Sequence, residues 1–172
     1  MSSTTFSGPV RSNNGLANPT ALVAPTSAKT QMANGFAAEM VKNTHYLAPA
    51  NGAALTATLP AASASTAGDV IIVDWHVLVA NGATQKFGTA GEFFEAKSAV
   101  YKTTTVLAVI FAVDLADGTA DDFLNMVGLT NAGPGIGSRI VFSFNGTAWR
   151  AEAVSTGSGT CAAAGTSVFA TS

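Results

Sequence analysis

The stretch Arg139 to Val154, "RIVFSFNGTAWRAEAV", alternates apolar and polar residues, breaks at Asn145-Gly146, and then alternates again. That pattern is a β-hairpin: period two marks a half-buried strand, and Asn-Gly supplies the positive φ values of a two-residue type I′ turn. Such a turn sets Phe144 opposite Thr147 and Phe142 opposite Trp149. It places Ile140, Phe142, Phe144, Trp149 and Ala151 on a core face, with Arg139, Ser143, Arg150 and Glu152 on the other and Arg139 facing Glu152. Asn145-Gly146-Thr147 also fits the glycosylation acceptor pattern, but the turn chemistry already accounts for these residues.

Outward from the hairpin the chain keeps the same character. Strands are expected at Leu55 to Leu59, Val70 to Ala80, Val100 to Val113 and near Ser167 to Thr171. In the second of these, Ile71, Val73, Trp75, Val77 and Val79 form a wholly apolar face. One short helix is expected after Asp117-Gly118, with Thr119 as cap, Asp121 and Asp122 in its first turn and Gly128 closing it. Many short strands separated by turn residues, with a single short helix, predict a mainly β fold: an antiparallel β-sandwich or jelly-roll-like domain over residues 45–172.

Residues 1–44 read differently. Pro9, Pro19 and Pro25 punctuate a tract rich in Ser, Thr, Asn and Gly, in which Phe6, Val10, Leu16, Leu22 and Val23 stand without a sustained period. This is an extended N-terminal arm, either a free tail or one that orders against a partner. "MANGFAAEMV" within it would form a short helix carrying Met32, Phe36 and Met40 on one stripe, weakened by Gly35.

The 172 residues suffice for one domain with a proper core. Only 10% are charged, against about 25% in ordinary soluble domains, so the surface repels its own copies little. The net charge of −2 and the scattered Lys and Arg residues form no basic stripe, and nucleic acid is not an expected partner. The N-terminus lacks the pattern of a secretory signal, and the apolar run from Val70 to Ala80 is too short for a membrane span. Cys161, the single cysteine, reads as a small apolar filler.

The residues of catalysis and metal binding are sparse. His76 lies two residues from Asp74 on one strand face, so an acid–base pair is conceivable beside the simpler reading of a strand surface; His45 has no second ligand at a metal spacing. Asp114, Asp117, Asp121 and Asp122 concentrate oxygen ligands suited to calcium, yet they miss the EF-hand spacing and serve equally as helix-cap residues. "GPGIG" at 133–137 follows no strand and opens no helix, which makes it a turn rather than a phosphate loop. No cofactor and no enzymatic activity are expected.

Three passages, "STTFSGPVRSNNG", "ALTATLPAASASTAGDVIIV" and "RIVFSFNGTAWRAEA", resemble in their order the virion structural proteins of tailed bacteriophages, in particular small capsid decoration, or cement, proteins of marine phages. The chain lacks the long repeats or heptads of a fibre shaft. The resemblance implies a protein assembled in the host cytoplasm onto the capsid exterior, with the major capsid protein and its own copies, as a homotrimer, for partners. On that reading Phe6, Val10, Leu16 and Leu22 make the arm's contacts with the capsid, while Phe142, Asn145, Gly146 and Trp149 build the hairpin. The alternative is a head-fibre or tail adhesin binding a host surface polymer, with Trp75 or Tyr101 as exposed aromatic contacts.

Overall fold

The computed structural model describes residues 28–104, 110–128, 133–157 and 168–171. Twelve strands run through them: β1 (Thr30–Gln31), β2 (Ala37–Glu39), β3 (Thr44–Leu47), β4 (Leu55–Thr58), β5 (Val70–Asp74), β6 (Thr84–Gly88), β7 (Ala99–Thr104), β8 (Ile110–Leu115), β9 (Phe123–Val127), β10 (Arg139–Phe144), β11 (Trp149–Gly157) and β12 (Phe169–Ala170). The one helical element among the described residues is a 3₁₀ turn at Ala62–Ala64. The fold is mainly β, as the alternation predicts, and its strands form a seven-stranded sheet, β1-β3-β5-β10-β11-β7-β8, and a five-stranded sheet, β12-β9-β6-β4-β2.

Neither sheet is antiparallel throughout. From β1 to β6 each successive strand enters the other sheet, so neighbours within a sheet are two strands apart in sequence and run the same way. The pairs β1/β3, β3/β5, β2/β4 and β4/β6 are all parallel, as is β11/β7. Antiparallel pairing joins β5/β10, β10/β11, β7/β8, β6/β9 and β9/β12. The expected antiparallel architecture fails because crossing loops, rather than hairpins, make most of the early connections.

The inward faces of both sheets supply one core. Ile71, Val73, Ile140, Phe142, Phe144, Trp149 and Ala151 come from the larger sheet, and Leu55, Phe87, Leu124, Met126 and Phe169 from the smaller. Phe87 on β6 meets Phe142 on β10 with ring centroids 5.3 Å apart, and Phe94 bridges Phe142 and Phe169 at 6.3 and 5.7 Å. Buried Gln85 is satisfied on both sides: it accepts from the Trp75 indole at 3.1 Å and donates to the Ala53 carbonyl at 2.9 Å.

The hairpin keeps its predicted faces but not its predicted register. Phe142 opposes Ala151, and Phe144 opposes Trp149. The turn spans four residues because the Asn145 side-chain oxygen accepts the N–H groups of Thr147 and Ala148 at 2.8 and 2.9 Å, and the Asn145 N–H reaches the Ala148 carbonyl. Gly146 alone of the pair takes positive φ, 104°. Shifting each partner by two residues preserves side-chain parity, which is why the faces survive. Arg139 now opposes Val154, while Glu152 pairs with Arg150 at 2.5 Å.

Four further expectations are corrected. The strand from Val70 ends at Asp74, although Trp75 still exchanges backbone hydrogen bonds with Ser138 and Gly137. The run 100–113 is two antiparallel strands, β7 and β8, with a register shift at Lys102/Thr103. The helix after Gly118 is absent: Asp117 Oδ1 accepts the N–H groups of Thr119 and Ala120 at 2.7 and 2.8 Å, closing one turn, and residues 123–127 then alternate as β9 between β6 and β12. The segment 32–41 is not helical either. It carries β2, with Met32 and Met40 in the core and Phe36 packed against it, so residues 28–44 belong to the two sheets and the sheets begin well before residue 45.

Candidate functional site

Asp74 closes β5 on the outer face of the seven-stranded sheet, since its neighbours Ile71 and Val73 point into the core. Register places Arg139 of β10 directly beside it, and Leu47 of β3 on its other flank. His45 sits diagonally across β3, opposite Ile72. Lys29, one residue before edge strand β1, reaches over β3 to the same carboxylate.

The four side chains form one knot. Arg139 Nε donates to Asp74 Oδ1 at 2.6 Å and its Nη2 to Oδ2 at 2.9 Å, a two-point grip on the carboxylate. Lys29 Nζ and His45 Nε2 both lie 2.8 Å from Oδ2. The Arg139 hydrogen bonds, followed by those of Lys29 and His45, outweigh the cost of desolvating the carboxyl and hold it far below the usual carboxylate range. Asp74 in turn raises the Arg139 guanidinium above its ordinary value. Both carboxylate oxygens are engaged, Oδ1 by Arg139 and Oδ2 by Arg139, Lys29 and His45, so Asp74 acts as a fixed anion.

This knot fixes the root of the N-terminal segment. Met32 donates its N–H to the Leu47 carbonyl at 2.9 Å and buries its side chain, while the Gln31 amide donates to the Ala48 carbonyl at 2.6 Å. A two-residue parallel edge strand would peel easily by itself. Here it is pinned by an ion pair, a side-chain amide and a core methionine. Beside the knot, Lys29, Trp75, His76, Ile136, Ser138 and Arg139 line an open cleft of about 450 Å³.

Of the two readings of His76, the surface one agrees with the structure. His76 is exposed and stands apart from the carboxylate, which takes His45 instead. Lys29, His45 and Arg139 lie 45, 29 and 65 residues from Asp74, so no local spacing announces the cluster. Trp75, named as an exposed aromatic contact, is buried; Tyr101 is exposed. In the aspartate-rich loop Asp117 and Asp121 turn their carboxylates onto the loop's own backbone, with Asp121 Oδ2 accepting the Asp117 N–H at 2.8 Å. Among the described residues no three His, Cys, Asp or Glu side chains converge as a metal site.

Phe142 and Trp149 are core residues, Trp149 also donating from its indole to the Pro60 carbonyl at 2.7 Å, and Asn145 and Gly146 form the turn. Phe6, Val10, Leu16 and Leu22 lie outside the described residues. No helix among the described residues is long and apolar enough to cross a membrane. No protein-family model matches the chain, and neither a curated protein nor a solved structure matches it.

Proposed function

We propose that the chain is a non-enzymatic structural protein that decorates the outside of a phage capsid, held there by its N-terminal segment and braced by its β-domain. The observation that carries this reading is the anchored root: Lys29, Asp74, Arg139 and His45 tie the start of the described chain to β5 and β10 in the middle of the larger sheet. A passive tail needs no such anchor. A segment that bears load between a shell and a domain does, because tension applied at Ala28 would otherwise strip β1 from the edge. The sparse charge suits a protein packed against copies of itself and the major capsid protein, in a homotrimer on the resemblance.

The test is co-sedimentation of the full chain with undecorated, expanded heads. Binding is expected, and Lys29→Ala should shorten retention under washing while leaving the circular dichroism spectrum unchanged. Failure to bind heads, with binding to host cells instead, would replace the proposal with an adhesin.

A further inference from the structure

The outer face of the five-stranded sheet, the sheet without the Asp74 cluster, holds a hollow of about 280 Å³. Alternation along β4, β6 and β9 turns Thr56, Thr58, Lys86, Gly88 and Phe123 outward, while Leu55, Ala57, Phe87 and Leu124 enter the core. Register sets Thr58, Gly88 and Phe123 in one row across three neighbouring strands. The middle of that row has no side chain, and the hollow opens there.

Neither backbone nor packing requires a glycine at this place. Gly88 lies outside the left-handed region, and among the described residues a Cβ added to it would meet nothing nearer than the Asp122 carbonyl oxygen at 4.0 Å. A glycine inside a strand weakens it. What this one supplies is space between Thr58 and Phe123, which stand two strand spacings apart, roughly 9–10 Å.

The walls of the hollow are fixed in advance. Thr89, buried, directs its N–H and its hydroxyl to the Asp122 carbonyl, both at 3.0 Å, and so ties the end of β6 to the start of β9. Ala90 and Gly91 follow with φ of 58° and 89°. The left-handed conformation is disfavoured for a residue with a Cβ, and strain of that kind gathers where a loop shapes a ligand site. Across from this loop Lys86 Nζ rests over the Phe123 ring, 3.9 Å from its centroid, which steadies both side chains.

We propose that the hollow binds one ring of a neutral saccharide. Its lining chooses that class. The hydroxyls of Thr56 and Thr58 both donate and accept, as sugar hydroxyls do, and Lys86 adds a donor. Asp122 at the rim offsets the charge of Lys86, so the lining favours neither an anion nor a cation. Phe123 and Ala90 add apolar surface for the C–H side of a sugar ring. Pockets for drug-sized ligands run from about 300 to 1,000 Å³, and a hollow just below that range suits a single ring. The inference goes beyond the capsid reading and does not depend on it.

The experiment titrates the ¹⁵N-labelled full chain with glucose, galactose, mannose and N-acetylglucosamine, each into the high millimolar range, and with sodium sulfate as an anionic probe. Saturable amide shifts at Thr58, Gly88, Gly91 and Phe123 are expected with at least one of the four sugars, while the Met32 amide stays in place. Gly88→Val fills the hollow and should abolish those shifts with the unfolding midpoint held or raised, since a strand accepts valine better than glycine. Thr58→Val keeps the shape but removes a hydroxyl, and should weaken sugar binding several-fold at an unchanged midpoint. Shifts at these amides with sulfate and with no sugar would assign the hollow to an anion. No saturable shift with any probe, or sugar shifts that persist in Gly88→Val, would remove the site; each of these results overturns the inference. No capsid is present, so failure here is distinct from failure to bind heads.

Discussion

Asp69, just before β5, and Asp74, its last residue, are both nearly sequestered from water, at 8% and 7% exposure, yet they are held by different means. Asp69 combines a bond within its own turn with contacts from Asn43, 26 residues away, and the adjacent Lys42. Its carboxylate accepts the Thr66 N–H and the Asn43 side-chain amide, both at 2.8 Å, with Lys42 Nζ at 3.2 Å, and it closes the turn that launches β5. The Thr66 bond is the main reason its carboxyl lies below the ordinary value, followed by the Asn43 bond. Asp74 is held by side chains from three distant parts of the chain. One end of the strand is thus a turn that the chain can form early, whereas the other is a tertiary clasp that forms only once β1, β3 and β10 are in place.

The core beneath both ends sets the scale. Trp149→Ala removes a fully buried indole, its hydrogen bond to Pro60 and its contact with Phe144. It should cost about 3–5 kcal/mol in urea unfolding. A midpoint that does not move would place the tryptophan outside the core.

Asp74→Asn should cost about 1–2 kcal/mol, less than a fully buried ion pair, because Lys29 and Arg139 are partly exposed and can return to water. Its hydrogen-exchange signature is more telling: protection at Met32 N–H should fall, since Lys29 no longer clasps the β1 edge. Loss confined to the β10/β11 turn would break the contrast between the two ends.

The same variant fixes the sign of the acid response. Asp74 titrates lower in the folded protein than in the unfolded chain, where an aspartate has a pKa of about 3.9. Its stabilisation is therefore complete above that value and is lost as pH falls through the folded-state pKa. The stability gap between wild type and Asp74→Asn should narrow below about pH 4. A gap that widens below about pH 4 would contradict the clasp.

Smaller effects are expected at local turns. Asn145→Ala removes the acceptor for two turn N–H groups and should cost about 0.5–1 kcal/mol by thermal unfolding. Asp69→Asn should raise amide exchange at Thr66 and leave Met32 protected, the reverse of the Asp74 variant. Equal loss at both amides would mean that the two ends of β5 act as one unit.

How much was legible follows the same division. Period two in residues 139–144 and 149–153 identified the strands and their faces, because alternation belongs to the backbone and survives a two-residue change of register. The turn length was not legible, since Asn-Gly fits a two-residue loop as well as the four-residue turn that the Asn145 side chain closes. "ADDFLNMV" offers a capped helix as readily as a strand; the open ladder positions between β6 and β12 select the strand. Met32 and Met40 belong to one apolar set, as their spacing suggests, but they flank strand β2 rather than lie on a helix.

By itself, then, the sequence determined a β-rich chain and the apolar faces of its strands, both of which depend on residues within a few positions of one another. Tertiary structure alone decided that strands alternate between two sheets, that most early pairs are parallel, and that Lys29, His45, Asp74 and Arg139 converge. Partner choice between strands is a competition among distant segments for the same ladder hydrogen bonds and the same core, and a charge cluster assembled by that choice leaves no trace in local spacing.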